Sequence, residues 1–275
     1  MEDPSTEATP QLGYIDIKPI LARLGDLATS KLVLVGGQAV NFWVDYYRRQ
    51  GRLVGLGDEA PLTSKDIDFC ADREDVARCA VRLNGKYRLP TIDDHTPSVG
   101  LVTFLDDQGI ERVIDFIDSP YGLKAAEVHR TAQQIDLFDG EDQPTGESFL
   151  VMHPVWCMKS RVSNTMELPG YATPHALRQL RASVACAREF LFDLLEAGEY
   201  RAVFKLNEQI FSFCHWTDAG RMVQLVHGVD PFDAVVVDPR LPESFLQHRY
   251  PQMVDWLKAR RERAAVRLRR PQLRK

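Results

Sequence analysis

Ser64-Lys65-Asp66-Ile67-Asp68-Phe69 alternates polar and apolar side chains from Asp66 onward, the period of two that a strand with one buried face requires. Alternation puts the carboxylates of Asp66 and Asp68 on one face and turns Ile67 toward the core. Two like charges that close repel, so the pair gains a strand little unless a positive charge sits between them. A divalent cation supplies it: Mg²⁺ takes hard oxygen ligands, commonly one or two carboxylates together with substrate phosphates. Upstream, Lys31-Leu32-Val33-Leu34-Val35 is a short apolar run stopped by Gly36-Gly37, which predicts a buried central strand. From Gln38 the pattern turns helical, with Val40, Trp43, Val44 and Tyr47 on one face and Arg48-Arg49 in the last turn. The glycines thus fall where a strand hands over to a helix. Bare backbone there lets a phosphate approach the helix N-terminus, although the same pair would also serve a plain tight turn.

Downstream, residues 52–61 read as a polar, Gly-containing surface loop, and residues 72–83 as a helix ending near Asn84-Gly85. Residues 99–105 and 111–117 predict a hairpin around the turn Asp106-Asp107-Gln108-Gly109. Its returning strand carries Asp115 between Ile114 and Phe116, a third acid on a sheet that already presents two; Asp118 would face the other side. A lone Asp-x-Asp is common on solvated strands. The ordered set of Gly-Gly at a strand end, Asp-x-Asp on a second strand and Asp on a third is more specific. Three such carboxylates would hold one or two Mg²⁺ ions against a triphosphate, and Asp115 could take the proton of an attacking hydroxyl.

The rest of the chain is mostly helical. A helix is expected over residues 15–27, short strands over 135–138 and 149–152, and helices over 155–166, 200–216, 219–226 and from about 251 onward. Thr173-Pro174 forms a cap and first-turn pair for a long helix running to Ala197, with Gly198 as its stop. The expected fold class is therefore α+β, with a mixed-sheet domain over residues 13–152 and an α-helical domain over 153–275. Residues 1–12 read as a flexible tail.

Apolar content of 44% and charged content of 27% over 275 residues suit a globular chain and exclude disorder or a membrane-spanning design. Five scattered cysteines without CxxC spacing predict reduced, partly buried thiols in a cytoplasmic protein. The seven histidines show no zinc-ligand spacing, and the neighbours Cys214-His215 point in different directions on a helix. Although the net charge is −5, the run from Lys258 to Lys275 carries Arg260, Arg261, Arg263, Arg267, Arg269, Arg270 and Arg274. Such a basic tail suits RNA contact, a solvated helix end, or docking onto the protein's own acidic surface. No aromatic residue interleaves these arginines, so a stacking platform for single strands is not expected.

Leu34-Val35-Gly36-Gly37-Gln38-Ala39, Ser64 to Phe69, and Val113-Ile114-Asp115-Phe116-Ile117 together resemble the nucleotidyltransferase superfamily with the DNA-polymerase-β-like fold, in its minimal, AbiEii-like branch. The resemblance covers about residues 30–165. It implies transfer of a nucleoside monophosphate from ATP or another NTP to an acceptor, with release of pyrophosphate and Mg²⁺ as cofactor. The acceptor would be an RNA 3′ end, a protein or a small molecule. By the same resemblance Gly36 and Gly37 would cradle phosphates and Ser64 would contact the nucleotide. Asp66, Asp68 and Asp115 would bind metal, with Asp115 also the base. Lys159, on the helix over 155–166, matches a lysine that contacts nucleotide in the family; Arg161 beside it reads as part of a solvated helix face. A toxin or defence role, with an antitoxin or a second copy as partner, is implied only by the resemblance. Two departures stand out: the linker between Gly37 and Asp66 is long, and Leu62 replaces an arginine that many relatives carry. Two other readings stay open, an Asp-x-Asp glycosyltransferase using a nucleotide sugar and a non-catalytic nucleotide-binding protein on the same fold.

Overall fold

A computed structural model describes residues 12–53, 62–64, 66–91, 94, 98–138 and 144–269. The described residues form two compact units. One comprises those within Met1–Asp45, Asp58–Pro120 and Lys124–Met152, and the other those within Tyr46–Gly57, Tyr121–Leu123 and His153–Lys275.

The first unit contains α1 (Tyr14–Leu24), α2 (Asp26–Ser30), β1 (Val33–Leu34), most of α3 (Gly36–Arg49), β2 (Ile67–Cys70), α4 (Arg73–Leu83), β3 (Lys86–Arg88), β4 (Ser98–Leu105), β5 (Glu111–Ile117), α5 (Ala125–Thr131), β6 (Gln133–Phe138) and β7 (Pro144–Val151). Its strands make one mixed sheet in the order β3-β4-β5-β2-β1-β7-β6. β2 runs antiparallel to β1 and parallel to β5, and β1 runs parallel to β7. The expected central strand is there but short. Val33 and Leu34 alone form β1, both wholly buried between two neighbours, as a continuous apolar run demands. In α4 the apolar stripe Val76, Cys79, Ala80 and Leu83 is buried, and the helix stops where Asn84 turns left-handed at φ +52°.

Four local expectations are corrected. The helix expected over residues 15–27 is two helices, because Gly25 between them sits at φ +55°, ψ −127°, a conformation helices do not contain. Leu12, placed by the sequence in a loose tail, is buried and pairs with Ser64 through two backbone hydrogen bonds of 2.9 Å; residues 1–11 lie outside the described set. β3 and α5 carry no strong hydrophobic period and were not anticipated; all three residues of β3 are exposed. β6 and β7 are longer than the apolar runs that announced them.

The second unit is helical: α6 (Pro154–Glu167), α7 (Pro174–Glu196), α8 (Tyr200–Trp216), α9 (Asp218–His227), a 3-10 turn (Pro231–Ala234), a π-helical turn (Phe245–Arg249) and α10 (Tyr250–Arg269). Thr173 caps α7 by accepting the Ala176 N–H at 3.2 Å. Thr217 does the same for α9 through Gly220 N–H at 3.0 Å. Asn207, wholly buried on α8, donates to the Val236 carbonyl at 2.8 Å and accepts from its N–H at 3.0 Å, pairing both backbone groups of that residue as a strand partner would. Arg52, read as the start of a surface loop, is anchored instead. It pairs with Glu189 and Asp193 of α7, and the buried Tyr47 hydroxyl donates to Asp193 at 2.9 Å. Residues 54–61 of that loop lie outside the described residues. The architecture is thus α+β, a mixed sheet with helices and a helical C-terminal region. No helix among the described residues is long and apolar enough to cross a membrane.

Candidate active site

The antiparallel β1–β2 ladder continues one step beyond β1, where Val35 N–H donates to the Asp68 carbonyl at 2.9 Å. This sets Asp68 against Gly36, the first residue of α3. Gly36 has φ +65°, and a Cβ built there would overlap Asp68 Oδ2 and come within 3.0 Å of its Cγ. Only glycine both adopts that backbone and leaves room for the carboxylate. A negative group at a helix start is favoured by the unpaired amides and dipole of the first turn. Gly37 follows within that turn.

Asp115 lies beside Asp68. Parallel pairing of β2 with β5 puts the two in direct register, flanked by the buried pairs Ile67 with Ile114 and Phe69 with Phe116. Period-two alternation then keeps both acids off the core face, half-buried. Ser98 of β4 donates its hydroxyl to Asp115 Oδ1 at 2.6 Å, reaching it across a register shift between Ser98 and Gly100. Burial raises the Asp115 carboxyl above the ordinary carboxylate range, and the negative charge of Asp66 adds to that. The Ser98 hydroxyl and a Phe116 backbone contact act the other way. Asp66 itself is exposed, immediately ahead of β2. The three acids therefore share a neighbourhood through two separate links: strand register joins Asp68 to Asp115, and charge joins Asp66 to Asp115. Among the described residues, no group of three or more His, Cys, Asp or Glu is placed so that it could hold a metal ion.

Ser64 is half-buried and held by its backbone. The wholly buried Gln38, in the first turns of α3, donates from Nε2 to the Leu12 carbonyl at 3.0 Å, with the Ser64 carbonyl at 3.5 Å. Asn41 steadies Gln38 by donating to its Oε1 at 3.3 Å. Gln38 thereby ties the segment that leads into Asp66 to the helix that starts at Gly36. Ser98 was missed from the sequence, where neither pattern nor charge marks it, and Gln38 was quoted only within the motif around Gly36-Gly37 and given no role; their partners lie 17 and 26 residues away.

Lys159 stands on α6 in the second unit, its ammonium 4.6 Å from the centroid of the Trp156 ring. Arg161 is not on a solvated face. It is 6% exposed and donates to the Tyr171 hydroxyl at 2.5 Å and to Gln179 at 3.3 Å, so that α6 buries both its apolar and its polar sides. All five cysteines are free and buried. Burial pushes the thiols of Cys70, Cys79 and Cys157 up to about 12, which leaves them protonated and unreactive at neutral pH.

No family model matches the chain, and no curated protein matches it. The crystal structure of JHP933 from Helicobacter pylori is similar over 93% of this chain and 96% of that one, with a TM-score of 0.35 and 12% identity.

Proposed function

We propose that the chain is a Mg²⁺-dependent nucleotidyltransferase that moves a nucleoside monophosphate from an NTP to an acceptor hydroxyl or phosphate and releases pyrophosphate. The observation that carries this reading is the fit of Asp68 against Gly36, where a Cβ would overlap its carboxylate, with Asp115 in register beside it and under the charge of Asp66. A structural strand face has little use for two acids in register with the charge of a third bearing on one of them. Mg²⁺ suits them: Asp66, Asp68 and Asp115 are hard oxygen donors of the type it takes alongside phosphate oxygens, and a bound ion would offset the charge of a triphosphate. A complete protein cage is not needed for that, since substrate oxygens fill the remaining positions.

The chain's own groups divide the remaining work. The start of α3 receives phosphate, with Gly37 leaving the backbone bare for close approach. Asp115, whose proton affinity is raised by burial and by Asp66, accepts the proton of the attacking hydroxyl. Ser98 holds that carboxylate in one orientation. Gln38 fixes the approach of the Asp66 segment to α3.

Binding and turnover of the four NTPs with Mg²⁺ test this, with the wild-type protein beside Asp66→Asn/Asp68→Asn. The expected result is Mg²⁺-dependent NTP binding that the variant loses, and pyrophosphate release when total cellular RNA or protein is added as acceptor. Absence of NTP binding in the wild-type protein would overturn the reading. Release of nucleoside diphosphate from a nucleotide sugar would replace it with the glycosyltransferase alternative.

A further inference from the structure

The arginine-rich C-terminal helix packs beside aromatic side chains that the sequence keeps apart. Trp216 at the end of α8 is 65% exposed, and Trp256 on α10 is 46% exposed. The His215 ring lies between them, its centroid 4.4 Å from Trp216 and 6.3 Å from Trp256, and Phe211 stacks on it at 5.2 Å. Guanidinium groups ride on these rings. Arg249 lies 5.1 Å from Phe211 and 5.5 Å from Trp256, and Arg260 lies 5.6 Å from Trp216. Trp256, Arg260 and Arg263 recur at helical spacing and so share one face of α10. The expectation that no aromatic residue interleaves the basic run holds within the run and fails in space.

The charges on this face are unequal in their commitments. Arg249 is held by both oxygens of Glu208 at 2.6 and 2.7 Å, and Arg221 pairs with Asp218. Arg261 turns away to Asp230, at 2.5 and 2.7 Å, so one basic residue of the tail does dock on the protein's own acid. Arg260 and Arg263 pair with no carboxylate among the described residues. The Arg260 Nε and His215 Nδ1 atoms are buried and have no hydrogen-bond partner there. After its burial, the charges that lower the His215 pKa are Arg260, Arg221, Arg263 and Arg249, which makes the local field positive.

Trp216, under the uncommitted Arg260, and Trp256 leave much of their indole surface open to solvent, and exposed aromatic patches of this kind mark a binding surface. An acidic peptide would satisfy the cations and leave the indoles wet. A duplex would offer phosphates while keeping its bases stacked inside. A flat, aromatic and anionic ligand uses both halves of the surface, and an unpaired nucleotide is such a ligand. Loops and ends of RNA are where bases stand splayed for stacking on aromatic side chains. We propose that this face of the helical unit docks single-stranded RNA, with bases stacked on Trp216 and Trp256 and phosphates taken by Arg260 and Arg263. The proposal stands independently of the carboxylate site.

Fluorescence anisotropy on the full chain tests it, using a short labelled RNA of mixed sequence, the matching DNA strand, the RNA duplex and polyglutamate as competitor. The single-stranded RNA is expected to bind and to quench tryptophan emission. Trp216→Ala is expected to weaken binding about tenfold or more, the usual size of one base–aromatic stack. Arg260→Gln/Arg263→Gln is expected to reduce the slope of log affinity against log salt by about 1.4. Thermal melts that match wild type establish that both variants fold. Equal binding by wild type and both variants would overturn the proposal, as would a preference for the duplex or the DNA strand, displacement by polyglutamate, or no binding at low salt. Asp66→Asn/Asp68→Asn is expected to bind the RNA as wild type does. A wild-type protein that binds the RNA but releases no pyrophosphate would therefore score against nucleotidyl transfer alone, and one that releases pyrophosphate but does not bind the RNA against this surface alone.

Discussion

Gly36→Ala is expected to destabilise the protein by two separable amounts. The first is conformational: at φ +65° a residue with a Cβ sits in the left-handed region, at a cost of about 1–2 kcal/mol. The second is steric, because the new methyl group would occupy the space of Asp68 Oδ2 and stand within 3.0 Å of Cγ. Turning the carboxylate can move Oδ2 aside, but Cγ at 3.0 Å stays close because the strand that carries it is held by the buried Ile67 and Phe69 and by the Val35 hydrogen bond. Overpacking of this kind costs about 1–3 kcal/mol. Together the effects come to about 2–5 kcal/mol, a large share of the ~5–15 kcal/mol that holds a domain folded. Asp68→Ala removes only the steric part. In that background Gly36→Ala should cost just the conformational ~1–2 kcal/mol, so the double-mutant cycle should show a coupling of about 1–3 kcal/mol. Urea denaturation followed by circular dichroism, with slopes compared across the four proteins, measures it. A coupling within about 0.5 kcal/mol of zero, or a Gly36→Ala protein as stable as wild type, would refute the contact on which the site is built.

Asp115→Asn keeps an oxygen to accept the Ser98 hydroxyl while removing the charge. The native pKa of Asp115 is raised, so the native state binds its proton more tightly than the unfolded chain, and wild-type stability falls as pH rises through that window. The variant should be more stable than wild type at neutral pH and lose the advantage below the ordinary carboxylate range; a variant less stable at neutral pH would contradict this. Ser98→Ala withdraws a donor from the ionised carboxylate, so the Asp115 titration followed by carboxyl NMR should move to higher pH, with about 1–2 kcal/mol lost at neutral pH; an unchanged titration would remove Ser98 from its positioning role. Asn207→Ala leaves a buried N–H and carbonyl of Val236 unpaired and should cost about 2–4 kcal/mol, with faster hydrogen exchange at that amide. A loss under about 0.5 kcal/mol would show that Val236 finds other partners.

What could be read from the chain alone was what depends on neighbours in sequence. The apolar stripe and left-handed stop of α4, the caps of α7 and the β4–β5 hairpin are set by residues within a few positions of one another. Together they made an α+β fold with a helical C-terminal region legible. The same short-range logic marked Gly36, Asp66, Asp68 and Asp115 as a set, because alternation and strand-end position are local properties. Local patterns also misled where a single backbone angle intervened: Gly25 breaks one apolar helical stripe into two helices without changing its period.

Tertiary structure alone decided which of these residues meet. Strand order β5-β2-β1 brought Asp115 into register with Asp68 and Asp68 against Gly36, and the fold recruited Ser98, which nothing in the sequence distinguishes, and Gln38, whose partners the sequence does not show. It turned Arg161 inward to Tyr171, tied Arg52 to α7, and set Trp216 beside Arg260 across 44 positions of chain. Periodicity says which way a side chain faces, whereas its partner is chosen by strand pairing and helix packing between segments distant in the chain.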